Sequence, residues 1–257
     1  MKMKRLRMTT LTVLASAMVL LTSCLGEGGS ETSLYGIAGV VESQPLTYKK
    51  VVRISDGSLI YSPGLDSDAS IQPGDCCLID MYIDYSVQNV EQLGYYAATI
   101  SNYVDVDKWP TSSSTDSLKV RPNEQMIYDI PSLNFISNKL FVYSQHKEQT
   151  DQKNTYRLTY NPNEEVKEVD GYRIYNFYYS CQKVQDGKSP EITPYHVNAF
   201  DVEYVLKQIA QKEKALGNDK LSFKINYIKT INADSSFVKG ATQRITWDVS
   251  SILGTSN

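Results

Sequence analysis

Two histidines and four cysteines are the residues of this chain with the widest chemical reach. His146 and His196 lie fifty residues apart, and no acid stands at metal-ligand spacing beside either. Each therefore reads as a strand-end or loop histidine, and no metal site is expected. No G-x-S-x-G occurs, so a nucleophile elbow is unsupported. Gly187-Lys188-Ser189 has the tail of a phosphate-binding loop, but Gln182 stands where that loop needs a glycine. Asp66-Ser67-Asp68 and Asp105-Val106-Asp107 do not continue into a calcium loop and read as solvated loop acids. One device escapes a spacing argument: two carboxylates distant in sequence, as in a glycoside hydrolase. Apart from it, the chain reads as a non-enzyme with no catalytic residue and no cofactor.

Cys24 has a different setting. Residues 1–7 carry Lys2, Lys4, Arg5 and Arg7 and no acid, and residues 8–21 are apolar or small. That is a charged n-region and an h-region too short to span a bilayer, which takes about 20 residues. Leu21-Thr22-Ser23-Cys24 follows and resembles the lipobox of bacterial lipoproteins, whose cysteine is acylated and becomes the first residue. Cys24 is therefore the expected lipid attachment site, after a signal peptide over 1–23. Cleavage there leaves 234 residues and removes four positive charges, so the net charge of −3 becomes −7. A negative chain is no nucleic-acid binder and gains nothing from anionic lipids. Its attachment rests on acyl chains, at about 0.8 kcal/mol per buried CH₂. Leu25, in place of an aspartate, matches sorting to the outer membrane, facing the periplasm or the exterior.

Cys76, Cys77 and Cys181 remain. Three cannot all pair within the chain. Cys76 or Cys77 bridged to Cys181 is one arrangement; buried thiols acting as small hydrophobes is the expected one. Tyrosine supplies 19 of the 27 aromatic residues. Tyr fits half-buried strands, with the ring in the core and the hydroxyl wet. A glycan platform would instead leave rings exposed, with Tyr175 and Tyr179 at i and i+4 of one strand the first candidates.

The elements that would carry these residues are mostly strands. A length of 257 at about 100–200 residues per domain allows one or two domains. Residues 24–33 are Gly/Ser/Glu-rich and read as a flexible tether. Over 34–108, Tyr35–Val41, Lys49–Ile54, Leu59–Tyr61, Cys76–Tyr85 and Tyr95–Val106 read as strands. Ser55-Asp56-Gly57-Ser58 is a hairpin turn. Pro63-Gly64 and Asp66–Ser70 read as loop. In Cys76–Tyr85, Cys77, Ile79, Met81 and Ile83 share one face; in Tyr95–Val106, Ala97, Thr99, Ser101 and Tyr103 share one side. Five strands opening with a hairpin suggest an OB-like barrel. Residues 109–117 (WPTSSSTDS) read as a linker. Over 118–257, Lys139–Gln145, Thr155–Tyr160, Tyr172–Tyr179 and Leu221–Tyr227 read as strands, and Ile245, Trp247 and Val249 repeat the strand period. They suit an antiparallel sandwich with one solvated face per sheet. One helix, Asp201–Leu216, carries an apolar stripe, with Asn198 or Asp201 as cap and Gly217 at its end. The fold class is mainly β: a small OB-like barrel followed by a sandwich-like domain carrying one helix.

The order of these segments resembles the NigD-like family of Bacteroides-type lipoproteins. The segments are Cys24, the Tyr35–Val41 strand, the Asp56-Gly57 hairpin, Pro73-Gly74-Asp75 before a long strand, and the serine-rich segment 111–117. The resemblance implies an N-terminal OB-like domain, a C-terminal β-sandwich, no catalytic residues and a role at the cell envelope. The expected function is a non-catalytic lipoprotein held to the membrane by its anchor, binding or scaffolding an envelope protein. A glycan-binding lipoprotein is the alternative, and an envelope hydrolase with a carboxylate pair stands behind both.

Overall fold

The computed structural model describes residues 30–45, 47–115 and 118–254. The chain divides into two compact units. The first holds the residues up to 108 and 134–137; the second holds 109–133 and the residues from 138 onward.

The first unit begins with β1 (Glu31–Ser43), β2 (Lys50–Ile54) and β3 (Leu59–Tyr61), joined by the Asp56-Gly57 turn. Asp56 accepts from the Ser58 N–H, and Gly57 takes φ +87°, a conformation glycine adopts at little cost. A short helix, α1 (Pro63–Ser67), follows. The sequence reads there as loop. Pro63 suits a first helical turn, and fully buried Leu65 draws that turn onto the core. Then come β4 (Cys76–Asp84), a short α2 (Val90–Leu93), β5 (Tyr96–Ala97) and β6 (Thr99–Val106). The sheet order is β5-β3-β2-β1-β4-β6. Its two ends, β5 and β6, are one strand interrupted at Ala98. The first part lies parallel to β3 and the second antiparallel to β4. That strand closes the sheet into the expected OB-like barrel. Its core holds Val41, Val52, Ile60, Ile79, Met81 and Ile83. Each such side chain, fully buried, contributes about 1.5–3 kcal/mol.

Two bulges bend the barrel and shift the alternation. In β1 the register slips between Leu34 and Ile37, where Gly36 takes φ +61° and gives its N–H to Asp80. Between β4 and β6, Asp80 faces Asn102 while Met81 faces Ile100, so Ser101 is the extra residue. Tyr103 therefore turns into the core while Thr99 and Ser101 stay exposed, which corrects the single face expected for them. Residues 31–33 of the expected tether belong to β1, where Thr32 and Ser33 pair with Ile83 and Tyr82.

The second unit holds most of β7 (Lys108–Ser113) and of β8 (Ile127–Ile136), whose residues 108 and 134–136 fall in the first, then β9 (Lys139–His146), β10 (Glu148–Thr150), β11 (Lys153–Tyr160) and β12 (Lys167–Val169). It continues with β13 (Tyr172–Gln185), β14 (Lys188–Ile192), β15 (Tyr195–Asp201) and the helix α3 (Glu203–Ala215). It ends with β16 (Lys220–Ile231), β17 (Phe237–Ala241), β18 (Ile245–Asp248) and a short α4 (Val249–Leu253). Most strands lie in one path, β17-β16-β13-β11-β7-β15-β9-β8. β12 pairs with β13, β18 with β16, and β10 with β14 in a separate ribbon.

Three expectations change. The linker over 109–117 is largely strand: β7 runs parallel to β11, and Trp109 donates to Asn198 Oδ1 at 2.9 Å. A small, polar composition signals loop, but pairing within the sheet overrides it. The sheet is also mixed, not antiparallel, because β13 and β16 run parallel. Parallel neighbours need a long crossover, usually helical, and α3 lies in that crossover. Finally, β16 is buried on both faces over much of its length. Ser222 bonds Thr246, and Asn226 donates to Asn176 Oδ1 and Phe177 O, so these polar side chains are satisfied inside.

The helix α3 starts at Glu203; Val202, at the cap position, offers no side-chain acceptor, and Asp201 Oδ1 accepts from the Glu203 N–H at 3.3 Å. Gly217 follows its end at φ +81°. Val205, Leu206 and Ile209 form the buried stripe, while Leu216 lies outside it and is exposed. Buried Glu213 accepts from Arg173, from the Tyr175 hydroxyl and from Asn218, which ties the helix to β13. Val249, expected to continue a strand, instead opens α4. Among the described residues no helix is long and apolar enough to cross a membrane.

Candidate functional site

Cys24 lies outside the described residues, as do the signal segment and residues 24–29. Cys76, Cys77 and Cys181 are buried and none is in a disulfide. Burial pushes the Cys77 and Cys181 thiols well above their ordinary range, so both are poor nucleophiles. The lysine-serine tail at 188–189 is part of β14, and Gly187 packs against the backbone of Thr150 and Gln152.

The tyrosine question resolves mostly inward. Tyr175 and Tyr179 do share a side of β13, but they are 2% and 0% exposed, so they form no platform. Their hydroxyls are committed: Tyr175 donates to Glu213, and Tyr179 shares a 2.8 Å bond with Ser144. On the other face Tyr178 donates to Glu164 at 2.6 Å. Tyr35, Tyr48 and Tyr204 are the most exposed rings among the described residues. Tyr204 borders a groove of about 730 Å³ beside α3, together with Asp201, Glu203, Lys207, Gln208 and Gln211.

The histidines differ most from expectation. His146 ends β9 and His196 is the second residue of β15. These strands are antiparallel with His196 opposite Ser144, so His146 is its diagonal neighbour on the same face. Their rings stack at 4.1 Å between centroids and 5° between planes. Glu148, two residues beyond His146, brings its carboxylate within 3.4 Å of His196 Nε2. The expectation that no acid stands near either histidine is therefore corrected. The signal was the triplet His146-Lys147-Glu148, since residues i and i+2 of extended chain point the same way.

The cluster is enclosed by polar neighbours. His146 Nδ1 lies 3.1 Å from Lys147 O, and its Nε2 lies 3.0 Å from the Tyr156 hydroxyl and 3.7 Å from Cys181 Sγ. Asn154 donates to Glu148 Oε2 at 3.0 Å. His196 Nε2 is buried and makes no hydrogen bond. Burial lowers His146 to about 4; burial, then the neighbouring ring, lowers His196 to about 3. Burial also raises Glu148 to about 7, against the bond from Asn154. Near neutral pH both imidazoles are uncharged and each keeps one nitrogen lone pair.

The barrel topology and the strand-rich second unit define a class: a two-unit, mainly β protein that opens with an OB-like domain. Residues 29–104 match the model of the lipoprotein OB domain family. The OB-like domain expected over 34–108 is thus met by a lipoprotein OB domain match in the first unit. Among solved structures the chain is similar to an uncharacterized protein from Parabacteroides merdae, at 26% identity. That match covers 85% of this chain and 99% of the other, with a TM-score of 0.73. It also shares its fold with a candidate lipoprotein from Bacteroides fragilis, at 10% identity, 82% and 96% coverage and a TM-score of 0.57. A NigD-like immunity protein from Bacteroides caccae matches at 11% identity, 81% and 91% coverage and a TM-score of 0.44. No curated protein matches.

Proposed function

We propose that the protein is a non-catalytic binding module of the outer membrane, tethered through acylated Cys24 and engaging an envelope protein. The observation that carries this reading is the position of the lipoprotein OB domain, which begins five residues after Cys24. Two features support the absence of catalysis. Of the chain's two imidazoles, His146 is fully buried and His196 is stacked on it and largely enclosed, and the tyrosine hydroxyls of β13 are held in hydrogen bonds to Glu213, Ser144 and Glu164. Burial of Tyr175 and Tyr179 removes the glycan platform expected on β13. The groove beside α3 offers mixed charges and amides suited to a polar protein segment.

Palmitate labelling of the native chain and of Cys24→Ala tests the anchor. Label should be present in the first and absent in the second; persistent label on the variant rules the anchor out. Crosslinking in intact envelopes, followed by recovery of the lipidated chain, tests the partner. One recurrent protein should be recovered. Recovery of the chain alone counts against a binding role.

A further inference from the structure

His146, His196 and Glu148 present two imidazoles and one carboxylate, the donor types that hold borderline divalent ions. One ligand atom from each lies within 4.8 Å of the other two. We propose that these three side chains form a binding site for one divalent ion of the zinc class.

Each residue is prepared for that role in a different way. At His146, a carbonyl oxygen 3.1 Å from Nδ1 can only accept, so the proton sits on Nδ1, and the Nε2 lone pair accepts from the Tyr156 hydroxyl at 3.0 Å, a bond that the ion would replace. A backbone carbonyl holding the outer nitrogen is the usual support of a metal-bound histidine. Glu148 is oriented by Asn154, and Asn154 in turn accepts from Gln152 at 2.8 Å. His196 contributes a buried nitrogen with no hydrogen bond, a costly arrangement that an ion would relieve.

The stack sets the movement that binding requires. Imidazole binds an ion in the plane of its ring, and two parallel rings 4.1 Å apart do not share such a point. His146 is fully buried, while the side chains of His196 and Glu148 keep 16% and 11% of their exposure. His196 is therefore the ring that turns, and the ion enters past Glu148. Ion–donor distances of about 2.0–2.2 Å put tetrahedral donors about 3.4 Å apart. Turning one ring supplies that contraction.

The test uses the full-length lipidated chain in detergent, stripped with a chelator and then dialysed against Zn²⁺ or Co²⁺ alone. One ion per chain is expected, and Co²⁺ should show the visible d–d absorption of a low-coordinate site. Glu148→Gln keeps the shape and the bond from Asn154, and His196→Ala removes the less buried ring. Each should weaken Zn²⁺ binding by about tenfold or more with an unchanged circular dichroism spectrum. Cys181→Ser should leave binding intact. Substoichiometric binding by the native chain overturns the site. So does binding that survives both Glu148→Gln and His196→Ala, or binding lost only in Cys181→Ser.

Discussion

Glu124 and Glu213 are both buried, and their surroundings give them opposite energetic roles. Glu213 receives donors from Arg173, Tyr175 and Asn218. Neither carboxylate oxygen of Glu124 makes a hydrogen bond, and its nearest cation, Arg121 Nη1, is 3.7 Å away. Burial raises Glu124 to about 7, with Arg121 pulling the other way. The unfolded carboxyl titrates near 4.5, so between these values the folded state binds the extra proton. Its contribution to stability is full below about 4.5 and is lost as pH rises through 7. At about 1.4 kcal/mol per pKa unit, the ionised group costs up to about 3 kcal/mol at pH 8. Glu124→Gln, which mimics the protonated form, should recover most of that at pH 8 and little at pH 5. Urea unfolding of both chains at the two pH values reads the difference directly. An equal effect at both would mean that Glu124 is ionised throughout.

At the scale of elements, the paired strands that carry clean alternation were legible. Leu221, Phe223, Ile225 and Tyr227 of β16 are all buried, as their period requires, and the Asp56-Gly57 turn joins β2 to β3. The bulges were not legible, because a single extra residue such as Ser101 leaves no mark in composition yet reverses every face beyond it. Gly39 lies inside the expected strand Tyr35–Val41, and the pairing supplies the reason for a glycine there. It faces Ile54 across the β1–β2 pair, and a Cβ built there would lie 2.2 Å from Val52 Cγ1 and 3.1 Å from Arg53 O. The backbone oxygen cannot retreat without breaking the pair. Gly39→Ala should therefore destabilise the barrel by about 1–3 kcal/mol, the usual cost of overpacking. Gly57→Ala carries the opposite diagnosis, since nothing lies near its Cβ and only its positive φ resists the change. Urea unfolding of the Gly39 variant checks the sign: a neutral result would show that Val52 rotates away freely.

For the molecule as a whole, the mainly β character was visible in strand periods and turn spacing, but the order of its strands and its chemistry depended on long-range pairing. The segment 109–117 looks like a linker because Ser and Thr report only local preference, whereas β7 is placed by β11, some fifty residues later. His146 and His196 meet only through the β9–β15 register, which neither local sequence contains. Charge, by contrast, is additive and needs no fold. With cleavage and acylation at Cys24 as proposed, a mature net charge of −7 predicts how the chain behaves at membranes. The acyl chains of such an anchor bind zwitterionic and anionic bilayers alike, at about 0.8 kcal/mol per buried CH₂. The protein surface meets anionic head groups with repulsion, within a screening length of about 8–10 Å near physiological salt. Flotation with vesicles should then show the lipidated chain binding zwitterionic vesicles at least as well as anionic ones. Added salt should raise binding to the anionic vesicles, because it screens a repulsion, and leave the zwitterionic case unchanged. A basic patch acting as a second anchor would reverse the sign, with salt releasing the protein from anionic vesicles.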